Sequence, residues 1–156
     1  MMRSLLKHPT EKILIVLPFL SLITEKETKL RSVLTPLGFK VASIHSHKSN
    51  SIFNTLGNMI SEDVNVVLCT IEKSNGIINR LLEQREINLL RCLVIDELHL
   101  IGDETRGFLL EILLSKIMYL NTYQNSNIQI ISMSATFPNI EEISSWLNSS
   151  LYVTEF

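Results

Sequence analysis

Five short runs of β-branched and other apolar residues punctuate the chain: Lys12–Pro18 (KILIVLP), Lys40–Ser46 (KVASIHS), Val64–Thr70 (VNVVLCT), Cys92–Leu98 (CLVIDEL) and Ile128–Ala135 (IQIISMSA). Within them the apolar residues follow one another instead of alternating with polar ones. That texture predicts strands buried on both faces.

Between the runs the apolar positions recur at helical spacing. From Ser21 to Leu37 they are Leu22, Ile23, Leu30, Val33, Leu34 and Leu37, with Gly38 as the stop signal. From Ile71 to Glu83, Ile71, Ile78, Leu81 and Leu82 share a face. Gly76 is a weak spot there, costing about 1 kcal/mol against alanine. From Thr105 to Leu120 the sequence is apolar almost all round, which predicts a well-buried helix. Asn139 followed by Glu142 has capping-box form and opens a helix carrying Ile143, Trp146 and Leu147.

Strands alternating with helices of this length predict an α/β fold with a mainly parallel sheet, helices on both faces and right-handed crossovers. In such sheets ligands bind at the carboxyl ends of the strands. That edge collects Pro18, Ser46, Thr70, the Asp96–Glu97 pair and Ser134–Ala135–Thr136.

The 156 residues suffice for one domain with a real core, and a composition of 46% hydrophobic and 19% charged is that of a globular chain. A formal charge of −2 means that the whole-molecule field does not attract nucleic acid. Any grip on phosphate has to come from local groups. The only cysteines, Cys69 and Cys92, lie far apart in apolar runs, which predicts buried, reduced thiols of an intracellular protein and no structural zinc. No signal-peptide pattern opens the chain, and KILIVLPFLSLI is too short to span a membrane. The polar stretch His45–Ser51 predicts a surface loop, with His45 and His47 exposed and not metal ligands. His8 carries no signal.

Asp96 and Glu97 follow four apolar residues and precede Leu98 and His99. Two buried carboxylates cost several kcal/mol unless something pairs with them, and a hydrated cation is a natural partner. Adjacent acids at a strand end can hold hydrated magnesium with the first and orient a water toward a terminal phosphate with the second. A capping acid beside a solvated acid is the ordinary alternative. Downstream, the hydroxyls of Ser134 and Thr136 flank a small residue at the next strand end, where they can bond to the acid–histidine segment or simply cap a helix.

Taken in this order, DELH (Asp96–His99) and SAT (Ser134–Thr136) resemble the second and third motifs of the superfamily 2 helicases, the first of them in its DExH form. VLPFLSLITEK (Val16–Lys26) is similar to motif Ia and CTIEKSNGIINRLLE (Cys69–Glu83) to motif Ib. IEKSNGIINRLLE, VIDELHLIGDETRGFLLEILLSKI and ISMSATFPNIEEISSWLN resemble, within that superfamily, the repair-helicase group that includes the helicase-like domain of DNA polymerase theta. The resemblance covers nearly the whole chain. It implies a RecA-like sheet of the P-loop NTPase type, with residues 1–156 as part of a first helicase domain (motifs Ia to III) and no second domain. It also implies ATP and Mg2+ as cofactors, single-stranded DNA as partner, 3′-to-5′ translocation and a nuclear role in DNA repair.

By position, the resemblance gives Asp96 the magnesium through water and Glu97 the attacking water. It gives His99, Ser134 and Thr136 the coupling of hydrolysis to domain motion, and Pro18, Ser21, Thr70 and Lys73 the nucleic acid. Lys26 and Arg80 could join them, and for all three cations, Lys73 included, a solvated helix face is an equal explanation. Arg106–Gly107 matches a family signature, where the cation is expected to pair with Asp103 or Glu104. Ser46 stands where the family often has glycine, which puts a close backbone approach to DNA there in doubt.

No GxxxxGK[ST] loop occurs, since none of Gly38, Gly57, Gly76, Gly102 and Gly107 is followed by lysine. The family's loop and its strand lie upstream of the segment matching MMRSLLK, and RSLLK resembles the tail of the helix after it. The missing helicase domains, the second RecA-like domain among them, are then expected partners. Without that domain there is no arginine finger, worth roughly 10³ to 10⁵ in turnover, so the isolated chain is expected not to hydrolyse ATP. An apolar sheet edge near Ile128–Met133 is expected to be exposed. The alternative function is a non-catalytic module, derived from a helicase, that binds single-stranded DNA or protein. A magnesium-dependent phosphohydrolase lacks a further acid or nucleophile at the same edge.

Overall fold

Each uninterrupted apolar run becomes a strand because its two sets of alternate side chains both find a helix layer to pack against. The computed structural model describes residues 2–7, 10–44, 64–135 and 138–154. Its strands are β1 (Lys12–Leu17), β2 (Lys40–Ser43), β3 (Val64–Thr70), β4 (Leu90–Ile95) and β5 (Gln129–Ser132). They form one parallel sheet in the order β2-β3-β1-β4-β5. The helices are α1 (Met2–Lys7), α2 (Leu20–Leu34), α3 (Ile71–Glu83), α4 (Gly107–Gln124) and α5 (Ile140–Trp146).

Alternation within the strands divides the core in two. Leu14, Val16, Val67, Cys69, Leu93 and Ile95 face α3 and α4, where Ile78, Leu81, Leu110, Leu113 and Ile117 meet them. Ile13, Ile15, Val66, Leu68, Cys92 and Val94 face the other way, onto Leu5 of α1 and Ile23 and Leu34 of α2. Leu93 is fully buried on the second-to-last strand of the sheet. Truncating such a leucine to alanine removes about 2–5 kcal/mol, a large share of a domain's net stability.

Several boundaries differ from the sequence expectation. β4 begins at Leu90, because Leu90 pairs with Lys12 at the foot of β1 and Arg91 meets Glu11 at 3.5 Å. It ends at Ile95, one residue before the acids. β5 is shorter than Ile128–Ala135. It is the sheet edge among the described residues, yet Ile128 is buried and Ile130 and Ile131 are half-covered by the two core layers. α2 passes through a short 3-10 turn before Gly38 closes it in the left-handed conformation (φ 85°). The Asn139–Glu142 capping box does not form. Asn139 (φ −115°, ψ 36°) makes no side-chain cap, and the Glu142 N–H donates instead to the Asn139 carbonyl at 3.1 Å. Nor is α4 buried all round: Phe108, Ile112, Tyr119 and Tyr123 face solvent. Ser46, His45, His47 and His8 lie outside the described residues.

Candidate functional site

The parallel register brings the carboxyl ends of β1, β3, β4 and β5 level: Leu17 pairs with Thr70, Val16 with Ile95, and Ile95 with Ser132. Chain segments leaving these ends form the site.

At β4 the ladder continues just beyond the strand, with the Asp96 N–H donating to the Val16 carbonyl at 3.0 Å. The chain then turns sharply. Glu97 sits in the left-handed region (φ 58°, ψ 50°), a conformation costing a non-glycine residue about 1 kcal/mol or more. Its N–H donates to Asp96 Oδ1 at 3.2 Å. Both acids are half-exposed. The expectation of two buried carboxylates is therefore corrected: the strand stops before them, and water reaches both.

The turn is held from the neighbouring strand. The Met133 N–H donates to the Ile95 carbonyl and the Leu98 N–H to the Met133 carbonyl, each at 2.9 Å. A 3-10 turn, Leu98–Gly102, comes next and carries His99. The His99 N–H donates to Ser134 Oγ at 3.1 Å, and Ser134 Oγ donates its own proton to the Ala135 carbonyl at 2.7 Å. That hydroxyl has no second proton to give. The imidazole Nδ1, 3.2 Å from Glu97 Oε2 and 3.5 Å from Ser134 Oγ, therefore carries a hydrogen and donates it to Glu97. Glu97, His99 and Ser134 form one connected chain. Thr136 lies outside the described residues.

Sequence reasoning missed the contacts made between this turn and α4. Asp103 Oδ1 accepts from the Thr105 N–H (2.9 Å), the Thr105 hydroxyl (2.6 Å) and the Arg106 N–H (2.8 Å). The hydroxyl, then the two backbone N–H groups, hold this carboxyl below its usual range. The signal was an aspartate two residues before a threonine, an Asx-turn pattern. Arg106 forms neither of the ion pairs expected for it. Its guanidinium donates from Nη1 to the Pro18 carbonyl at 3.1 Å and lies 5.2 Å from the centre of the Phe19 ring. It thus ties the start of α4 to the β1–α2 turn. Gly107 has a packing reason: a Cβ there would stand 2.2 Å from the Ile101 carbonyl oxygen.

Of the four nucleic-acid candidates, Pro18 and Thr70 are buried, Lys73 is half-buried and Ser21 is exposed. Ser21 and Lys73 lie in the first turns of α2 and α3, where backbone N–H groups lack helical partners. Thr70 precedes α3 but makes no side-chain cap.

Magnesium commonly keeps several waters and takes one or two carboxylates plus substrate phosphates. Asp96 suits that mode, since its described hydrogen bond engages Oδ1 alone. Among the described residues no group of three or more His, Cys, Asp or Glu could cage an ion directly. The donor set fits a cation held through water and phosphate.

Three comparisons bear on this geometry. The family described as DEAD/DEAH box helicase matches residues 1–143. DNA polymerase theta of Drosophila melanogaster is 39% identical over 146 residues, covering 94% of this chain and 7% of that protein. DNA polymerase theta of Mus musculus is 41% identical over 157 residues, covering 94% and 6%. The chain thus spans less than a tenth of the length of these relatives. Among solved structures, the DUF1998 helicase MrfA bound to DNA and AMPPNP superposes with a TM-score of 0.73 at 18% identity, covering 94% of this chain and 20% of that one. At that identity the likeness is one of fold, and the fold is a RecA-like α/β sheet. Among the described residues no helix is long and apolar enough to cross a membrane.

Proposed function

Because the chain belongs to the DEAD/DEAH box helicase family, we propose that residues 1–156 are part of the first RecA-like motor domain, motifs Ia to III, of an ATP-dependent DNA-repair helicase. The whole protein would translocate 3′ to 5′ on single-stranded DNA in the nucleus. The observation that carries this reading is the Asp96–Glu97 pair at the end of β4, linked through His99 to Ser134 at the end of β5.

The resemblance assigns the roles, and that linkage supports those of Glu97, His99 and Ser134. Asp96 would hold hydrated magnesium through its waters, and the bound ion would offset charge on the β- and γ-phosphates. Glu97, with one oxygen engaged by His99, would orient the attacking water with the other. His99, Ser134 and Thr136 would relay a change at Glu97 to the β5 end, because a shift of the carboxylate disturbs the hydrogen bond that fixes the imidazole. On the other side of β1, Ser21, Lys73 and the N-terminal turns of α2 and α3 would meet DNA phosphates, with Pro18 and Thr70 shaping that surface.

The 156 residues contain no GxxxxGK[ST] loop. Taken alone, they are expected to show no ATP turnover above a Glu97→Gln control, with magnesium and single-stranded DNA present. In the same preparation, oligo-dT binding should weaken with salt and with Lys73→Glu. Turnover above the control overturns the expected inactivity of these residues alone, whereas measurable turnover equal in parent and Glu97→Gln, or binding indifferent to both salt and Lys73→Glu, overturns the proposal.

A further inference from the structure

Two long-range hydrogen bonds meet at the first turn of α4, and each comes from a different helix start. Arg106, the residue that opens α4, donates from Nη1 to the Pro18 carbonyl at 3.1 Å and lies 5.2 Å from the centre of the Phe19 ring, at the β1–α2 turn. Three residues on, the Leu109 carbonyl accepts from Asn75 Nδ2 of α3 at 2.8 Å. Asn75 Oδ1 in turn accepts from Lys116 Nζ at 3.1 Å, and Lys116 also donates to Asn79 Oδ1 at 2.8 Å. An ammonium has only donors, so Lys116 fixes which end of the Asn75 amide faces Leu109.

The two helices tied in this way are the ones that open at the candidate nucleic-acid surface. Leu17 pairs with Thr70, so α2 and α3 leave neighbouring strand ends. Neither Phe19 nor Thr70 caps its helix with a side chain, and the first N–H groups of both helices have no helical partner. The helices pack on opposite faces of the sheet: Ile23 and Leu34 of α2 in one core layer, Ile78 and Leu81 of α3 in the other. Apolar contact with one face therefore does not set the helix on the other. Such contact is also non-directional, whereas a hydrogen bond fixes direction. Arg106 follows Asp103 and Glu104 in sequence, yet its guanidinium goes to a neutral carbonyl 88 residues away.

We propose that the first turn of α4 is the common anchor that sets the two phosphate-contacting helix starts, with Arg106 and Asn75 as positioning residues. Arg106 acts on single-stranded nucleic acid only through the start of α2, and Asn75 only through the start of α3. This rests on the reading of those two starts as phosphate contacts. It adds that their placement is fixed from the segment that follows the Asp96–Glu97 turn, by two residues that do not themselves touch the ligand.

Double-mutant cycles on binding of a fluorescent oligo-dT to the purified chain test it. Ser21→Glu and Lys73→Glu put a carboxylate in the first turn of α2 and of α3, where it suits the helix dipole but repels phosphate. Each should weaken binding. Arg106→Ala and Asn75→Ala should each weaken it roughly three- to tenfold, and Arg106→Ala should lower the slope of log affinity against log salt by about 0.7, one phosphate. In the Ser21→Glu background Arg106→Ala should then have almost no further effect, while in the Lys73→Glu background it keeps its full effect. Asn75→Ala should show the reverse. A partly unfolded chain, or a direct phosphate contact by Arg106 or Asn75, would instead give the same loss in both backgrounds, and that result overturns the proposal. So does binding by the parent that Ser21→Glu leaves unchanged. If the parent shows no salt-dependent binding at all, the reading of the two helix starts falls, and the anchor with it; if binding is salt-dependent and both glutamates weaken it but the cycles are additive, only the anchor falls. Should Arg106→Ala unfold the chain, Arg106→Gln takes its place in the same cycle.

Discussion

Replacing Gly107 with alanine sets two known effects against each other. Alanine is the better helix former, by about 1 kcal/mol inside a helix and less at a first turn. Against that, the added methyl would lie 2.2 Å from the Ile101 oxygen, 2.9 Å from the Ile101 carbonyl carbon and 3.3 Å from the Leu100 oxygen. All three are backbone atoms of the turn that carries His99, and none can rotate away. Restoring an ordinary contact needs about 1 Å of backbone movement, and overpacking of this kind costs about 1–3 kcal/mol or more. The clash wins, and Gly107→Ala should destabilise the chain by about 2–3 kcal/mol. With a urea slope of about 2 kcal/mol/M, the midpoint falls by 1 M or slightly more. Gly76→Ala is the internal control. A Cβ at Gly76 in α3 meets nothing within 4 Å, so the propensity gain is unopposed and the midpoint should rise, by at most about 0.5 M. The assay is urea unfolding followed by circular dichroism. A Gly107→Ala midpoint equal to or above that of the parent, at unchanged slope, would refute the close-approach argument.

Arg106→Ala removes the hydrogen bond to the Pro18 carbonyl and the contact over Phe19, and should cost about 1–2 kcal/mol by the same unfolding assay; Arg106→Lys should recover only part of it, since lysine lacks the planar fork, and full recovery would count against the geometry. Asp103 has a lowered pKa, so its capping contribution is present above the ordinary value of 3.8 and is lost as pH falls through the lowered value. The stability gap between parent and Asp103→Asn should therefore be constant from pH 5 upward and close only in stronger acid; a gap that grows on acidification contradicts the assignment. Burial raises the pKa of both Cys69 and Cys92, so neither thiol should react with a disulfide reagent at neutral pH until urea unfolds the chain. Rapid labelling of the native protein would show that the sheet is open where it is described as closed.

The sheet was legible because a strand covered on both faces must be apolar at consecutive positions, and β1, β3 and β4 are. The direction of the site was legible too, since parallel strands collect their carboxyl ends on one edge and Asp96, Glu97 and Ser134 fall there. What stayed hidden depends on long-range contacts. Nothing about glutamate marks Glu97 as left-handed; that conformation comes from the lacing of Leu98 and Met133. The carbonyl that Arg106 reaches is 88 residues away in sequence. α4 is apolar almost all round, so periodicity could not say which face meets the sheet or that Phe108, Ile112, Tyr119 and Tyr123 are left outside. The Asn139 cap failed because the pattern specifies residue types but not the extended backbone that a capping side chain needs.

The central claim is that the Asp96–Glu97 turn is a place for a hydrated divalent cation tied to the β5 end. Paramagnetic broadening of amide signals by manganese, titrated into the isotopically labelled chain as a stand-in for magnesium, tests it most directly. The account predicts broadening that begins at Asp96, Glu97 and Leu98, extends to Met133 and Ser134, and disappears in Asp96→Asn. Broadening centred elsewhere, or unchanged in Asp96→Asn, would contradict it.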